Sequence, residues 1–244
     1  MTAAPPVLDA GLPVRAFFTT RAGGSSLAPF DALNLANHVG DEREAVERNR
    51  AVAERLALLP VAYMSQVHGN AIAGVDVAGM PPQADAIYTV NPELAVGVLV
   101  ADCVPILIHD GATGAVAAIH AGRRGVQLSV VSRALDALAL LPRTGAGVLS
   151  ASIGPAICGK CYEVPADMRD EVCATAPAAW SETPAGTAAL DLRAAVLSQL
   201  VSSSVSHIVN LDRCTREDHE FFSHRRDGVT GRFAGIIGVD ASLR

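Results

Sequence analysis

Lysine is all but missing from this chain. Lys160 is the only one in 244 residues, and arginine supplies the rest of the 19 basic side chains. Those arginines are scattered and the formal net charge is −6, which argues against a nucleic-acid groove or a patch for anionic membranes. No apolar run approaches the ~20 residues that a membrane helix requires. The first residues, Met1-Thr2-Ala3-Ala4-Pro5-Pro6, lack a basic region followed by an apolar core, so no secretory signal is expected. Cysteine is sparse, odd in number (five) and without the spacing of a disulfide framework, which points to the reducing cytosol. Cys158-Gly159-Lys160-Cys161 is the only C-x-x-C, and it lacks a second pair to complete a zinc knuckle.

Half the residues are apolar, enough to bury the core of one large domain or two small ones. Residues 1–13 read as a flexible tail and 14–244 as one domain. Val14 to Thr20 is a first strand, followed by the turn-rich Arg21-Ala22-Gly23-Gly24-Ser25-Ser26. Asp41 and Glu44 form a capping box for a helix that runs to Pro60. A short strand is expected over Met64 to Asn70, broken by Gly69, and further strands lead through Leu94 to Val100. The apolar positions Val126, Val130, Ala134, Leu138 and Leu141 predict one helix over 125–141. Val148 to Ile153 is a strand, Pro165 opens a helix, Asp191 caps another, and strands at His207 to Leu211 and Phe233 to Val239 complete the pattern. Strands and helices are mixed without strict alternation, which points to α+β.

The most informative stretch is Ala101 to Gly122. Two apolar runs flank Asp110-Gly111-Ala112-Thr113, which reads as a two-residue hairpin turn with Gly111 at positive φ. In that register Cys103 faces His120, close enough to share one ion. A slip of one residue would turn them apart. The alternative is a small buried thiol beside a hydrogen-bonded core histidine. A catalytic zinc takes three protein ligands and leaves one position open. His68, beside Gly69, is the leading third ligand and His38 the next, while His109 lies close to the turn and reads as solvated. Asp102 is a candidate general base. Gly23-Gly24-Ser25-Ser26 is a weak phosphate loop, lacking P-loop spacing and lysine. Arg225-Arg226 is a candidate anion clamp.

The ordered set Phe18-Thr19-Thr20-Arg21, Leu33-Asn34-Leu35, Gln66-Val67-His68-Gly69, Ala101-Asp102-Cys103, His120-Ala121-Gly122, Ile153-Gly154-Pro155, Cys161-Tyr162-Glu163-Val164 and Arg225-Arg226-Asp227-Gly228 resembles the YfiH family, also called laccase-domain proteins or peptidoglycan editing factors. The resemblance implies an α+β fold with mixed sheets packed between helices, shared with toxins that use a Cys–His pair. It implies a metal site at His68, Cys103 and His120, holding zinc, or alternatively copper. The implied activities are phosphorolysis of adenosine, inosine and methylthioadenosine and deamination of adenosine, with purine nucleosides and phosphate as partners. Asn34, Arg21 and Arg226 are proposed as substrate contacts. One departure is Arg123, where the family usually has tryptophan.

Three other functions compete. A multicopper oxidase would need more imidazoles than the seven present, and H-x-H pairs that the chain lacks. A hydrolase would use Cys103 as nucleophile and His120 as base, in keeping with peptidoglycan precursor editing. A non-catalytic module would hold a structural zinc with four protein ligands.

Overall fold

Ala95–Val100, Val104–Asp110 and Ala115–Ala121 are apolar on both faces and almost wholly buried, so each must lie between two packed layers. The computed structural model, which describes residues 6–239, shows how. The chain begins with β1 (Val7–Asp9), β2 (Arg15–Thr19), α1 (Arg43–Ala57), β3 (Val61–Tyr63), β4 (Ile72–Gly74), β5 (Ala86–Thr89) and β6 (Ala95–Val100). The central hairpin β7 (Val104–Asp110) and β8 (Ala115–Ala121) is followed by α2 (Arg123–Gln127), α3 (Val130–Ala139), β9 (Leu149–Ile153) and α4 (Ala166–Thr175). A small hairpin of β10 (Trp180–Glu182) and β11 (Ala188–Leu190), then α5 (Leu192–Ser202), β12 (His207–Asn210), the single-turn α6 (His224–Asp227) and β13 (Phe233–Gly238) complete it.

Two mixed sheets result, in the orders β1-β2-β13-β6-β3 and β12-β9-β7-β8-β5-β4. Leu107, Val116 and Ala118 of the second meet Phe18, Val96, Val98, Phe233 and Ile237 of the first in a shared core. The alternate residues Ile106, Ile108, Ala117 and Ile119 point the other way, onto Val126, Val130, Leu135 and Val196 of the helices. On the far side of the first sheet, Phe17, Tyr63 and Ile236 pack against Ala53 and Ala57 of α1. The expected single α+β domain, with mixed sheets between helices, is what forms.

Several local expectations fail for identifiable reasons. The loop between β7 and β8 has four residues, closed by Asp110 opposite Ala115. The Asp110 carboxylate accepts the Ala112 N–H and the Thr113 hydroxyl, and Gly114, not Gly111, takes the positive φ of 74°. His120 therefore pairs with Pro105 and not with Cys103. The slip is two residues, and because side chains alternate with period two, Cys103 and His120 stay on the same face. The helix expected over 125–141 is interrupted at Ser129, whose φ is 55°. Glu42 is the N-cap of α1, because the Asp41 carboxylate instead accepts the Asn34 amide at 2.8 Å, so no capping box forms. The strand expected over 64–70 lies earlier, at Val61–Tyr63. Within the expected tail, Val7–Asp9 pairs in register with β2, while residues 1–5 lie outside the described residues. The cap at Asp191 forms as expected, its carboxylate accepting the Ala194 N–H.

Phe18 is fully buried where the two sheets meet, and a Cβ on Gly154 or Gly235 would collide with its ring. Phe18→Ala is expected to cost about 3–5 kcal/mol in denaturant unfolding, the range for deleting a buried aromatic. A loss below ~1 kcal/mol, within the ordinary scatter of single substitutions, would mean that the core between the sheets is not what holds them together.

Candidate metal centre

Three segments bring the site together at the end of the space between the sheets. The chain leaves the first sheet at Val100 and enters the second at Val104, crossing in only three residues. Asp102 makes the crossing at φ 92°, a strained conformation for any residue but glycine. Its carboxylate accepts the Thr215 hydroxyl at 2.7 Å and the Arg225 N–H at 2.6 Å, and its carbonyl accepts the Ile157 N–H at 3.0 Å. Both side-chain oxygens are thus engaged in holding the crossing, which leaves Asp102 poorly placed as a general base. The crossing delivers Cys103 next to His120, the penultimate residue of β8.

His68 arrives on the loop after β3, at φ 55°. Buried Asp85, just ahead of β5, fixes it: its carboxylate accepts the N–H groups of His68 at 3.0 Å and Gly69 at 2.6 Å. The same carboxylate lies 2.8 Å from His120 Nδ1. That contact aims the Nδ1–H at Asp85 and leaves Nε2 facing the cluster, the usual arrangement behind a metal-ligating histidine. The Gln66 side chain pairs with both the N–H and the C=O of Leu99, tying the same loop to β6.

One donor atom from each of His68, Cys103 and His120 lies within 4.8 Å of the others, and the two imidazoles meet edge to face at 4.7 Å. A Cβ on Gly122 would come within 2.7 Å of His68 Nδ1 and 3.2 Å of Cys103 Sγ, so glycine is what leaves the three donors room to converge. Two nitrogens and one sulfur, with no fourth protein donor in the group among the described residues, fit a catalytic zinc. The same donors also suit copper.

Charge is distributed unevenly over the triad. Burial alone lowers the pKa of His120, but the negative charges of Cys103 and Asp85 outweigh it and lift the value to about 9. Burial holds His68 below its ordinary value; His120, Arg232 and Arg123 add to that effect and Asp85 opposes it. Arg123, at the start of α2, thus puts a cation beside the centre.

Two hollows, of about 230 and 370 Å³, share His68, Ala101, Cys103 and His224. The first is walled by Ile157, Tyr162, Leu192 and Arg225, and the second by Gln66, His38 and Arg232. His38 therefore stands in the second hollow, but it is not one of the grouped donors. His109 is partly buried, and its Nδ1 is without a hydrogen-bond partner among the described residues.

The three residues expected to contact substrate have partners within the protein. Asn34 is fully buried; its amide serves Asp41 and the Ala36 carbonyl, and its oxygen accepts from Ala36 and Arg232. Arg21 bonds to the Asp31 carbonyl and carboxylate and lies over Phe222. Arg226 is held by Asp227 and by the carbonyls of Thr215 and Phe221. None of the three lines either hollow. The Gly23–Ser26 loop is likewise occupied, with the Ser25 and Ser26 N–H groups bonded to Asn49 and to the Ala32 carbonyl.

Sequence reasoning assigns no role to Asp85, to Arg232 or to Tyr162, although Tyr162 lies within one of the motifs. Nothing in their local spacing marks them, because each acts through partners distant in the chain.

A family model described as multi-copper polyphenol oxidoreductase laccase matches residues 15–240. The chain is 46% identical over 234 residues to the purine nucleoside phosphorylase Rv2149c of Mycobacterium tuberculosis, covering 93% of this chain and 92% of that one. It is 38% identical over 234 residues to the purine nucleoside phosphorylase YfiH of Shigella flexneri, covering 92% and 93%. The chain belongs to the YfiH family. Its fold superposes on that of the Neisseria meningitidis protein NMB0706 with a TM-score of 0.86 at 35% identity, covering 98% of this chain and all of that one.

Removing the acceptor behind His120 should loosen the centre. Asp85→Asn is expected to weaken metal binding about 10–100-fold, the usual effect of losing a partner behind a ligand. The raised pKa of His120 also sets a direction with pH. Below about 9 the metal-free imidazole carries a proton that a bound ion must displace, so apparent affinity should climb with pH and level off near that value. Competition titrations against a chelator across this range test it, and an affinity that does not change with pH would contradict the assignment.

Proposed function

We propose that the chain is a zinc-dependent purine nucleoside phosphorylase acting on adenosine, inosine and methylthioadenosine, and that it also deaminates adenosine to inosine. The observation that carries the reading is the His68–Cys103–His120 triad, open on one side and placed at the junction of the two hollows. The names of the curated relatives support the same reaction class. The hollow with Tyr162, Leu192 and Ile157 suits a flat purine, while the polar hollow with Arg232 and Gln66 suits the sugar and phosphate.

Phosphorolysis forms a bond from a phosphate oxygen to the sugar C1′ as the bond from C1′ to the purine nitrogen breaks. The electron pair leaves with the base, which takes up a proton. Arg232 is the cation that would hold and orient the phosphate, in place of Arg21 and Arg226, while Arg225 stands on the purine side. Arg225 stacks on the Tyr162 ring at 4.9 Å, which restricts its guanidinium to one wall. Deamination exchanges water for ammonia at C6 of the purine. In both reactions the ion, when bound, supplies Lewis acidity. The partners are then small molecules, with no role for nucleic acid or membrane; among the described residues no helix is long and apolar enough to cross a bilayer.

A second reading has a specific observation in its favour. Asp85, His120 and Cys103 follow one another in the order carboxylate, imidazole, thiol, with His120 Nδ1 2.8 Å from Asp85 and a donor atom of Cys103 within 4.8 Å of one of His120, the layout of an activated cysteine nucleophile. This reading makes the protein a cysteine hydrolase that edits peptidoglycan precursors, and it requires the sulfur to be free of metal.

Metal analysis together with adenosine assays, with and without phosphate, separates these readings. The proposal expects ribose 1-phosphate with phosphate present, ammonia from the deamination, and loss in His68→Ala of turnover together with the one equivalent of zinc held by the triad. Full turnover by metal-free His68→Ala would refute it. Activity confined to metal-free protein, and lost in step with alkylation of Cys103, would favour the hydrolase.

A further inference from the structure

The isolated Cys158-x-x-Cys161 motif finds its missing half in the folded chain. Cys214 and Glu217 have the same spacing, and one donor atom from each of Cys158, Cys161, Cys214 and Glu217 lies within 4.8 Å of the others. The two pairs sit on turns of matching construction. The Cys158 carbonyl accepts the N–H groups of Cys161 and Tyr162, both at 3.0 Å. The Cys214 carbonyl accepts those of Glu217 at 3.2 Å and Asp218 at 2.9 Å. A parallel bridge between Ala156 and Cys214 sets the turns side by side, and the buried Arg193 clamps the Ala156 and Arg213 carbonyls.

From this geometry we propose a second metal centre, a structural zinc held by the thiolates of Cys158, Cys161 and Cys214 and closed on its solvent side by the Glu217 carboxylate. Tetrahedral zinc with bonds of about 2.3 Å to sulfur holds its sulfurs about 3.8 Å apart, so the four donors need only a small contraction to close on an ion. A backbone N–H already points at one of the sulfurs: that of Cys158 lies 3.4 Å from Cys214 Sγ. Such contacts favour thiolate over thiol. None of the three cysteines is in a disulfide. Four protein donors leave no open position, which distinguishes this site from the triad and makes its role architectural.

That role can be located. The first turn carries Ile157 and Tyr162, both walls of the apolar hollow, and the second carries Thr215, which bonds the Asp102 carboxylate. An ion joining the two turns therefore braces the crossing that presents Cys103.

Full-length protein, purified under reducing conditions and loaded with Co2+, provides the test. Wild type should bind about two equivalents, and His68→Ala/Cys103→Ala should keep one, with an intense thiolate charge-transfer band. Adding Cys214→Ser should abolish that band. Glu217→Gln, at an exposed position where folding is not at risk, should weaken binding of the retained ion. If the double variant binds no cobalt while its remaining thiols react freely, or pair in a disulfide by mass, the proposal is overturned. One equivalent in wild type and none in the double variant overturns it equally and leaves the triad standing. One in both would keep the second centre and count against the first.

Discussion

A single carboxylate organises the centre. Asp85 is buried, and its oxygens take the main-chain N–H groups of His68 and Gly69 and the Nδ1 proton of His120. An isolated buried carboxylate would cost several kcal/mol. Here three donors compensate, holding its pKa below the ordinary value in spite of desolvation. Because the same group fixes a loop from one sheet and a strand from the other, it sets the separation of two ligands that are remote in sequence.

The second constraint is the three-residue passage between the sheets. A strand that ends in one layer and restarts in the next must turn sharply, and Asp102 absorbs the turn at a conformation costing about 1–3 kcal/mol. The hydrogen bonds from Thr215, Arg225 and Ile157 hold it there. Strain, ligand and pocket wall are thereby concentrated within a few residues, as is common where structure is shaped for chemistry.

The amino-acid pattern is most informative where period and hydrophobicity decide the outcome. β6, β7, β8 and β13 lie where their apolar runs indicate, and Asp191 caps α5 for the reason its position suggests. The hairpin register differs by two residues from the expected one, because Asp110 builds a wider loop than its Asp-Gly pair implies. An even slip preserves the face, so Cys103 still meets His120 although the turn is of another kind. Asn34, Arg21 and Arg226 show the opposite. Polar residues within a recognisable motif suggest substrate contacts, yet all three serve the backbone and neighbouring carboxylates. A buried carbonyl needing a donor leaves no trace in a one-dimensional pattern. Asp85 is illegible for the same reason, and Glu217 because a glutamate is an unusual partner in a cysteine pair.

The position of the sole lysine has a practical outcome. Lys160 is exposed at the tip of the turn between Cys158 and Cys161, and no other side chain offers an amine. An amine-reactive fluorophore would thus attach at one internal address, beside the cysteine group, with no engineering of the chain. Once the more acidic α-amino group has been blocked near neutral pH, the nearly lysine-free composition leaves the native protein a single address for such a reporter.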